Sequence, residues 1–225
     1  MGALHKGHLS LIKKASTENN IVIVSIFVNP TQFDNEDDLK KYPQNLKKDL
    51  EFLKAVKCDA VFVPNASEIY NNKIVSKSFN FDGLEHQMEG KHRKGHFDGV
   101  GTIVKKFFEI VNPTKAYFGE KDFQQLQIIK KLVEKHHPSI QIVPCSIFRE
   151  NDGLAMSSRN SRLTKINRKE APFIYQTLKK AKEKFKTESS SKVTKWVKRK
   201  IKGTKYRGFI AVFAGDIRLI DNIAL

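Results

Sequence analysis

Two hydrophobic periods alternate along this chain. Residues 21–28 (IVIVSIFV) form a short β-branched apolar run closed by Asn29 and Pro30, the pattern of a strand buried on both faces in a parallel sheet. Ahead of it, residues 9–16 carry apolar side chains at helical spacing, and a second helix at 46–56 leads into a strand at 60–63 that Pro64 stops. Residues 100–111 predict a helix ending before Pro113, residues 116–118 a strand running into Gly119, and a helix resumes at Asp122. Residues 141–143 read as a further strand, after which Asn151, Asp152 and Gly153 make a turn. Strands alternating with helices predict an α/β fold with a doubly wound, Rossmann-like parallel sheet.

Beyond about Thr164 the pattern changes. Ile174, Leu178, Ala181 and Phe185, then Val193, Trp196, Val197 and Ile201, recur at helical intervals among lysines. The run 187–192, with three serines, reads as a loop, and 208–214 with 217–220 read as a β-hairpin turning at Gly215 and Asp216. We place a domain boundary near Leu163. Residues 1–163 are expected to form the nucleotide-binding domain, and 164–225 a small C-terminal α+β lid domain closing over it.

Composition changes this picture little. Of 225 residues, 40% are hydrophobic and 29% charged, ordinary proportions for a globular protein, and no apolar run approaches the roughly 20 residues that cross a bilayer. The first residues lack the basic leader and apolar centre of a signal peptide. Cys58 and Cys145 stand far apart with no metal-ligand spacing, which fits reduced thiols in a cytoplasmic protein. The net charge of +17 raises the question of nucleic acid, but residues 165–207 hold 16 Lys or Arg against 3 Glu. That concentrates the excess on helices whose solvated faces account for it, so no nucleic-acid partner is expected.

Three clusters carry chemistry. His5, Lys6, Gly7 and His8 open a helix. Backbone N–H groups there favour an anion, glycine allows close approach, and two imidazoles can donate to phosphate oxygens. The stretch 155–160 (AMSSRN) follows a turn, and its Ser157 and Ser158 hydroxyls and Arg159 guanidinium suit the outer phosphates of a nucleotide. Residues 117–126 (YFGEKDFQQL) lie where a strand hands over to a helix, the ligand edge of a parallel sheet. There Lys121 can neutralise developing phosphate charge, Asp122 can accept from ribose hydroxyls, and Gln125 lies on nearly the same helix face as Asp122. The early His-x-Gly-His and late Met-Ser-Ser-Arg together resemble the signatures of adenylate-forming nucleotidyltransferases, which include class I aminoacyl-tRNA synthetases.

A closer resemblance covers almost the whole chain. The strings MGALHKGHLSLI, FVNPTQF, HFDGVGTIV, NPTKAYFGEKDFQQL, AMSSRNSRL and RLIDN, with Tyr42-Pro43, occur in this order and resemble those of the pantothenate synthetase (pantoate-beta-alanine ligase) family. The resemblance implies ATP-dependent condensation of pantoate with β-alanine through a pantoyl adenylate, with Mg2+ accompanying ATP, and a homodimer. By motif it implies that His5 and His8 contact ATP phosphates while Met1, Gly7 and Met156 line the nucleotide site. Gly119 and Asp122 would bind ribose, and Asn29, Gln32 and Gln125 pantoate. Lys121, Ser157, Ser158 and Arg159 would stabilise the pentavalent phosphorus and departing pyrophosphate, and Asp49 would lie near the magnesium. Arg93 and His96 read as surface-loop residues as readily as functional ones.

Two departures from the family pattern stand out. Relatives carry a strand and a helical segment before the Met-Gly-Ala-Leu-His string, so the first strand of the sheet is expected to be absent here. Between Ile201 and Phe209 a longer family stretch is reduced to KGTKYRG. The competing expectations are a basic nucleic-acid binder and an inactive remnant of the same family.

Overall fold

The computed structural model describes residues 1–33, 36–71, 73–200, 209–214 and 217–223. In chain order the elements are α1 Lys6–Glu18, β1 Ile23–Ser25, α2 Glu36–Lys40, α3 Leu46–Lys54, β2 Ala60–Phe62, α4 Ala66–Tyr70, α5 Met88–His92, α6 His96–Val111, β3 Lys115–Gly119, α7 Phe123–His136, β4 Gln141–Cys145, α8 Lys165–Glu170, α9 Phe173–Phe185, α10 Ser190–Lys200, β5 Phe209–Ala214 and β6 Ile217–Asn222. Single 3-10 turns lie at Pro30–Gln32, Glu120–Asp122 and Ser158–Arg162, among others. No helix among the described residues is long and apolar enough to cross a membrane.

The chain divides into two compact units: Met1–Leu4 with His8–Cys145, and His5–Gly7 with Ser146–Leu225. Residues 146–163, which the sequence pattern groups with the sheet domain, fall in the second unit because Leu154 packs in one core with Ile174, Leu178, Val193, Val197 and Leu219.

In the first unit β1 pairs parallel with β2, Ile23 opposite Ala60, and β3 pairs parallel with β4, Lys115 opposite Gln141. Among the described residues the pairs share no hydrogen-bonded edge. Parallel neighbours need a crossover, supplied by α2 and α3 for the first pair and α7 for the second. On β1, Met1 N donates to Ser25 O at 2.8 Å and Phe27 N donates to Met1 O at 2.9 Å, which ties the first residue to the strand. Leu4, Ile12, Ala15, Val22, Val24, Leu53 and Val56 form the core against β1, and Tyr117 of β3 packs on it. The face of α7 carrying Ile128, Ile129 and Leu132 buries against Phe81, Phe97 and Val100. Each such side chain contributes about 1.5–3 kcal/mol, against a few tenths for the helix propensity of a single residue. Burial therefore decides where these helices lie.

Local chemistry moves two predicted boundaries and adds one helix. Helix α6 starts at His96, four residues before the predicted start, because Gly95 at φ 76° turns the chain into it. At its other end Asn112 adopts φ 45° and Pro113 follows. The serine run expected as a loop instead starts α10, with Lys192 N donating to Ser189 Oγ. Helix α4, absent from the predicted elements, is nucleated by a capping box: Glu68 N donates to Asn65 Oδ1 at 2.9 Å and Asn65 N to Glu68 Oε2 at 2.7 Å.

In the second unit β5 and β6 form the expected antiparallel pair, Phe209 opposite Asn222. The expected turn at Gly215 and Asp216, and the shortened stretch 201–208, lie outside the described residues.

Candidate active site

The end of β1 runs into the Pro30–Gln32 turn, and Asn29 before it is 2% exposed. Its amide is committed inside the protein. Tyr70 Oη and Thr31 Oγ1 donate to Asn29 Oδ1, the latter at 3.1 Å, and Asn29 Nδ2 donates to Gly99 O at 3.1 Å and Gln32 Oε1 at 3.4 Å. Burial pushes the Tyr70 phenol pKa up, the hydrogen bonds to Thr31 and Asn29 opposing it, so the hydroxyl stays a donor. Asn29 and Gln32, the amides assigned to pantoate by resemblance, thus lie together, with Asn29 orienting Gln32. Nothing in the sequence pattern singled out Tyr70 or Thr31.

Asp49 is 2% exposed, and its carboxylate accepts Ala3 N at 3.0 Å and Leu4 N at 2.6 Å. Ala3 sits at φ 49°, a left-handed conformation that costs a non-glycine residue about 1 kcal/mol or more. Asp49 therefore holds a strained turn immediately before the histidine cluster, with both oxygens engaged. Among the described residues no group of three His, Cys, Asp or Glu side chains could hold a metal ion. Both Asp49 oxygens already serve the turn, so no catalytic step is derived through a metal on them. Asp49→Asn leaves one backbone N–H facing an amide nitrogen, and is expected to cost about 1–3 kcal/mol. A urea titration with an unchanged midpoint would contradict this.

The third cluster stands at the exit of β3. Gly119 ends the strand, Lys121 and Asp122 form a 3-10 turn with Nζ 3.5 Å from Oδ1, and α7 begins at Phe123. Gln125 is half-buried on the first turn of α7, and its amide has no partner among the described residues. Its neighbour Gln124 is structural, its amide nitrogen donating to Leu84 O and Gln87 O.

The second unit brings His5, Gly7 and Met156 together. Gly7 N lies 3.3 Å from Met156 Sδ, and a Cβ on Gly7 would stand 3.0 Å from the His5 ring and 3.6 Å from Met156 Cβ. His8, half-buried on α1, belongs to the first unit. Ser157 caps the turn Ser158–Arg162, its Oγ accepting from Arg159 N at 3.3 Å. Asn160 Nδ2 holds the loop by donating to Glu150 Oε1 at 2.9 Å and Ala155 O at 3.1 Å.

Beneath this loop Arg149 donates to both carboxylate oxygens of Asp221, at 2.6 and 2.9 Å, and to Gly153 O and Asn222 O. Its guanidinium lies 3.6 Å from the centre of the Tyr175 ring. The RLIDN string is thereby accounted for, because Asp221 and Asn222 brace the residues that lead into Met156. A hollow of about 560 Å³ beside α8, α9 and β5 holds none of the motif residues. One of about 400 Å³ in the first unit includes Ala3 and Asp49 but neither His8 nor Lys121.

The family model for pantoate-beta-alanine ligase matches residues 1–224. The pantothenate synthetase of Flavobacterium psychrophilum is 55% identical over 252 aligned positions, covering 100% of this chain and 89% of its own, and that of Christiangramia forsetii is 53% identical with the same coverage. Among solved structures, the pantothenate synthetase of Thermus thermophilus matches with a TM-score of 0.91 at 33% identity, covering 99% of this chain and 90% of its own. The pantoate-beta-alanine ligase of Francisella tularensis, complexed with beta-gamma ATP and beta-alanine, matches with a TM-score of 0.85 at 38% identity, covering 99% and 86%. A family-model match over residues 1–224, with relatives more than half identical along the whole chain, makes the chain a member of the pantoate-beta-alanine ligase family.

Proposed function

We propose that this chain condenses pantoate with β-alanine at the expense of ATP. The observation that carries the reading is the family match across residues 1–224 with all three chemical clusters present. A pantoate carboxylate oxygen attacks the α-phosphorus of ATP, the bond to the bridging oxygen breaks, and pyrophosphate leaves. The neutral amine of β-alanine then attacks the acyl carbon of the pantoyl adenylate, and the C–O bond breaks to release AMP.

In this reading His5, His8, Lys121, Ser157, Ser158 and Arg159 donate to phosphate oxygens as charge builds on them, while Met1, Gly7 and Met156 line the nucleotide site. Gly119 and Asp122 take the ribose. Gln32 and Gln125 hold pantoate through neutral amides, which orient a carboxylate without quenching its nucleophilicity, and Asn29 acts through Gln32. No residue forms a covalent intermediate, so positioning and charge stabilisation supply the rate. Magnesium would accompany ATP as its counter-ion and would neutralise charge on the phosphates. A cytoplasmic homodimer belongs to the same reading.

Incubation with magnesium-ATP and pantoate, with and without β-alanine, tests it. Equal amounts of AMP, pyrophosphate and pantothenate are expected when all three substrates are present. Release of ADP, or ATP breakdown indifferent to pantoate, would overturn the reading.

A further inference from the structure

Arg93 and His96 both point at one main-chain atom. His96, at 8% exposure, places Nδ1 2.8 Å from the carbonyl oxygen of Gln32, and Arg93 Nη2 lies 3.1 Å from the same oxygen. Arg93 Nη1 lies 3.1 Å from His96 Nε2. A guanidinium only donates, so Nε2 accepts and the ring proton sits on Nδ1, from which it is donated to the carbonyl. Both lone pairs of the Gln32 carbonyl are then engaged.

The next turn of α6 closes the grip. A Cβ on Gly99 would lie 2.4 Å from Thr31 O and 2.9 Å from Gln32 N, so only glycine lets the helix approach the turn this closely. Gly99 O also accepts from Asn29 Nδ2, the group that donates to Gln32 Oε1. With Oε1 facing that donor, the amide nitrogen Nε2 is the group Gln32 can offer outward.

We propose that Arg93 and His96 are positioning residues: by holding the main chain of Gln32 they aim its Nε2 at the oxygens of the carboxylic acid substrate. The proposal rests on the reading of Gln32 as a pantoate ligand and deepens it. Misplacement by about 1 Å at a binding group can cost on the order of a hundredfold in rate, which is why a grip on the main chain matters as much as the amide itself.

Steady-state kinetics on His96→Leu, His96→Asn, Arg93→Met and Gln32→Ala, with a thermal melt of each, test the idea. Asn keeps an N–H donor near the position of Nδ1, whereas Leu does not. The pantoate KM is expected to rise about tenfold or more in His96→Leu and to rise in Arg93→Met, with the ATP KM within about twofold and the His96→Asn values within about threefold of wild type. Arg93→Met carries the test should His96→Leu not fold. A raised pantoate KM in Gln32→Ala alone would overturn the positioning role while leaving Gln32 as a ligand. An unchanged KM in Gln32→Ala would overturn both. Equal losses in His96→Leu and His96→Asn, or parallel rises in both KM values, would mean the pair only supports the fold and would overturn the proposal.

Discussion

Lys121→Ala is expected to lower kcat by about two to three orders of magnitude while leaving the pantoate KM within about threefold, the pattern of a group whose interaction strengthens only as charge develops in the transition state. The side chain stands at the exit of a parallel strand, in the short turn before α7, with Asp122 3.5 Å from its ammonium. That position lets a cation serve a phosphate at the sheet edge while the neighbouring carboxylate restrains the side chain. Lys121→Arg should recover only part of the rate, because a planar guanidinium presents its donors along different directions. Single-turnover measurement of AMP formation isolates the step. Equal rates for wild type and Lys121→Ala would remove the residue from the mechanism.

Arg149→Met is expected to destabilise the second unit by about 3–5 kcal/mol, because it leaves the Asp221 carboxylate, 3% exposed, buried without its bidentate partner. The same change removes the donors to Gly153 O and Asn222 O and the stacking on Tyr175. Adding Asp221→Leu should restore much of the loss, since two apolar groups of similar volume replace a buried pair at little cost. Denaturant titrations of the single and double variants provide the check. A single variant as stable as wild type, or a double variant no better than the single, would contradict the account of Arg149 as the brace beneath the Met-Ser-Ser-Arg loop.

Much of the fold was legible because its signals are local. The β-branched run ending at Asn29 and Pro30, the helix stopped at Pro113 and the antiparallel pairing of 209–214 with 217–222 follow from periodicity and breakers, and the structure has each of them with at least one end shifted. The shifts come from single residues whose conformation a pattern does not reveal: Gly95 at φ 76° extends α6 to His96, and Ser189 caps a helix where a serine-rich loop was expected. The capping box at Asn65 and Glu68 was readable, an Asn followed three residues later by Glu, yet the helix it starts is too short to show periodicity.

The site was legible to the depth of its motifs and no further. Clusters such as His-x-Gly-His or Gly-Glu-Lys-Asp announce themselves by residue type, but the groups that hold them are distant in sequence. Asp49 is more than 40 positions from the turn it bonds, Tyr70 reaches Asn29 across a separation of 41, and Arg149 pairs with Asp221 across 72. A carboxylate beside a nucleotide motif looks like a metal ligand in one dimension. Only the fold shows both of its oxygens taken by backbone N–H groups. Arg93 and His96 read as surface-loop residues as readily as functional ones, whereas His96 is buried at the start of α6, and the common target of the pair is a main-chain carbonyl with no sequence signature.

The central claim is that an adenylate links the two half-reactions, and the path of one oxygen atom tests it most directly. Pantoate labelled with 18O in its carboxylate is incubated with ATP, magnesium and β-alanine, and the products are weighed by mass spectrometry. The account predicts one labelled oxygen in the phosphate of each AMP, because the attacking carboxylate oxygen stays on phosphorus when β-alanine displaces it from carbon. Unlabelled AMP, or label recovered in pyrophosphate or orthophosphate, would contradict it.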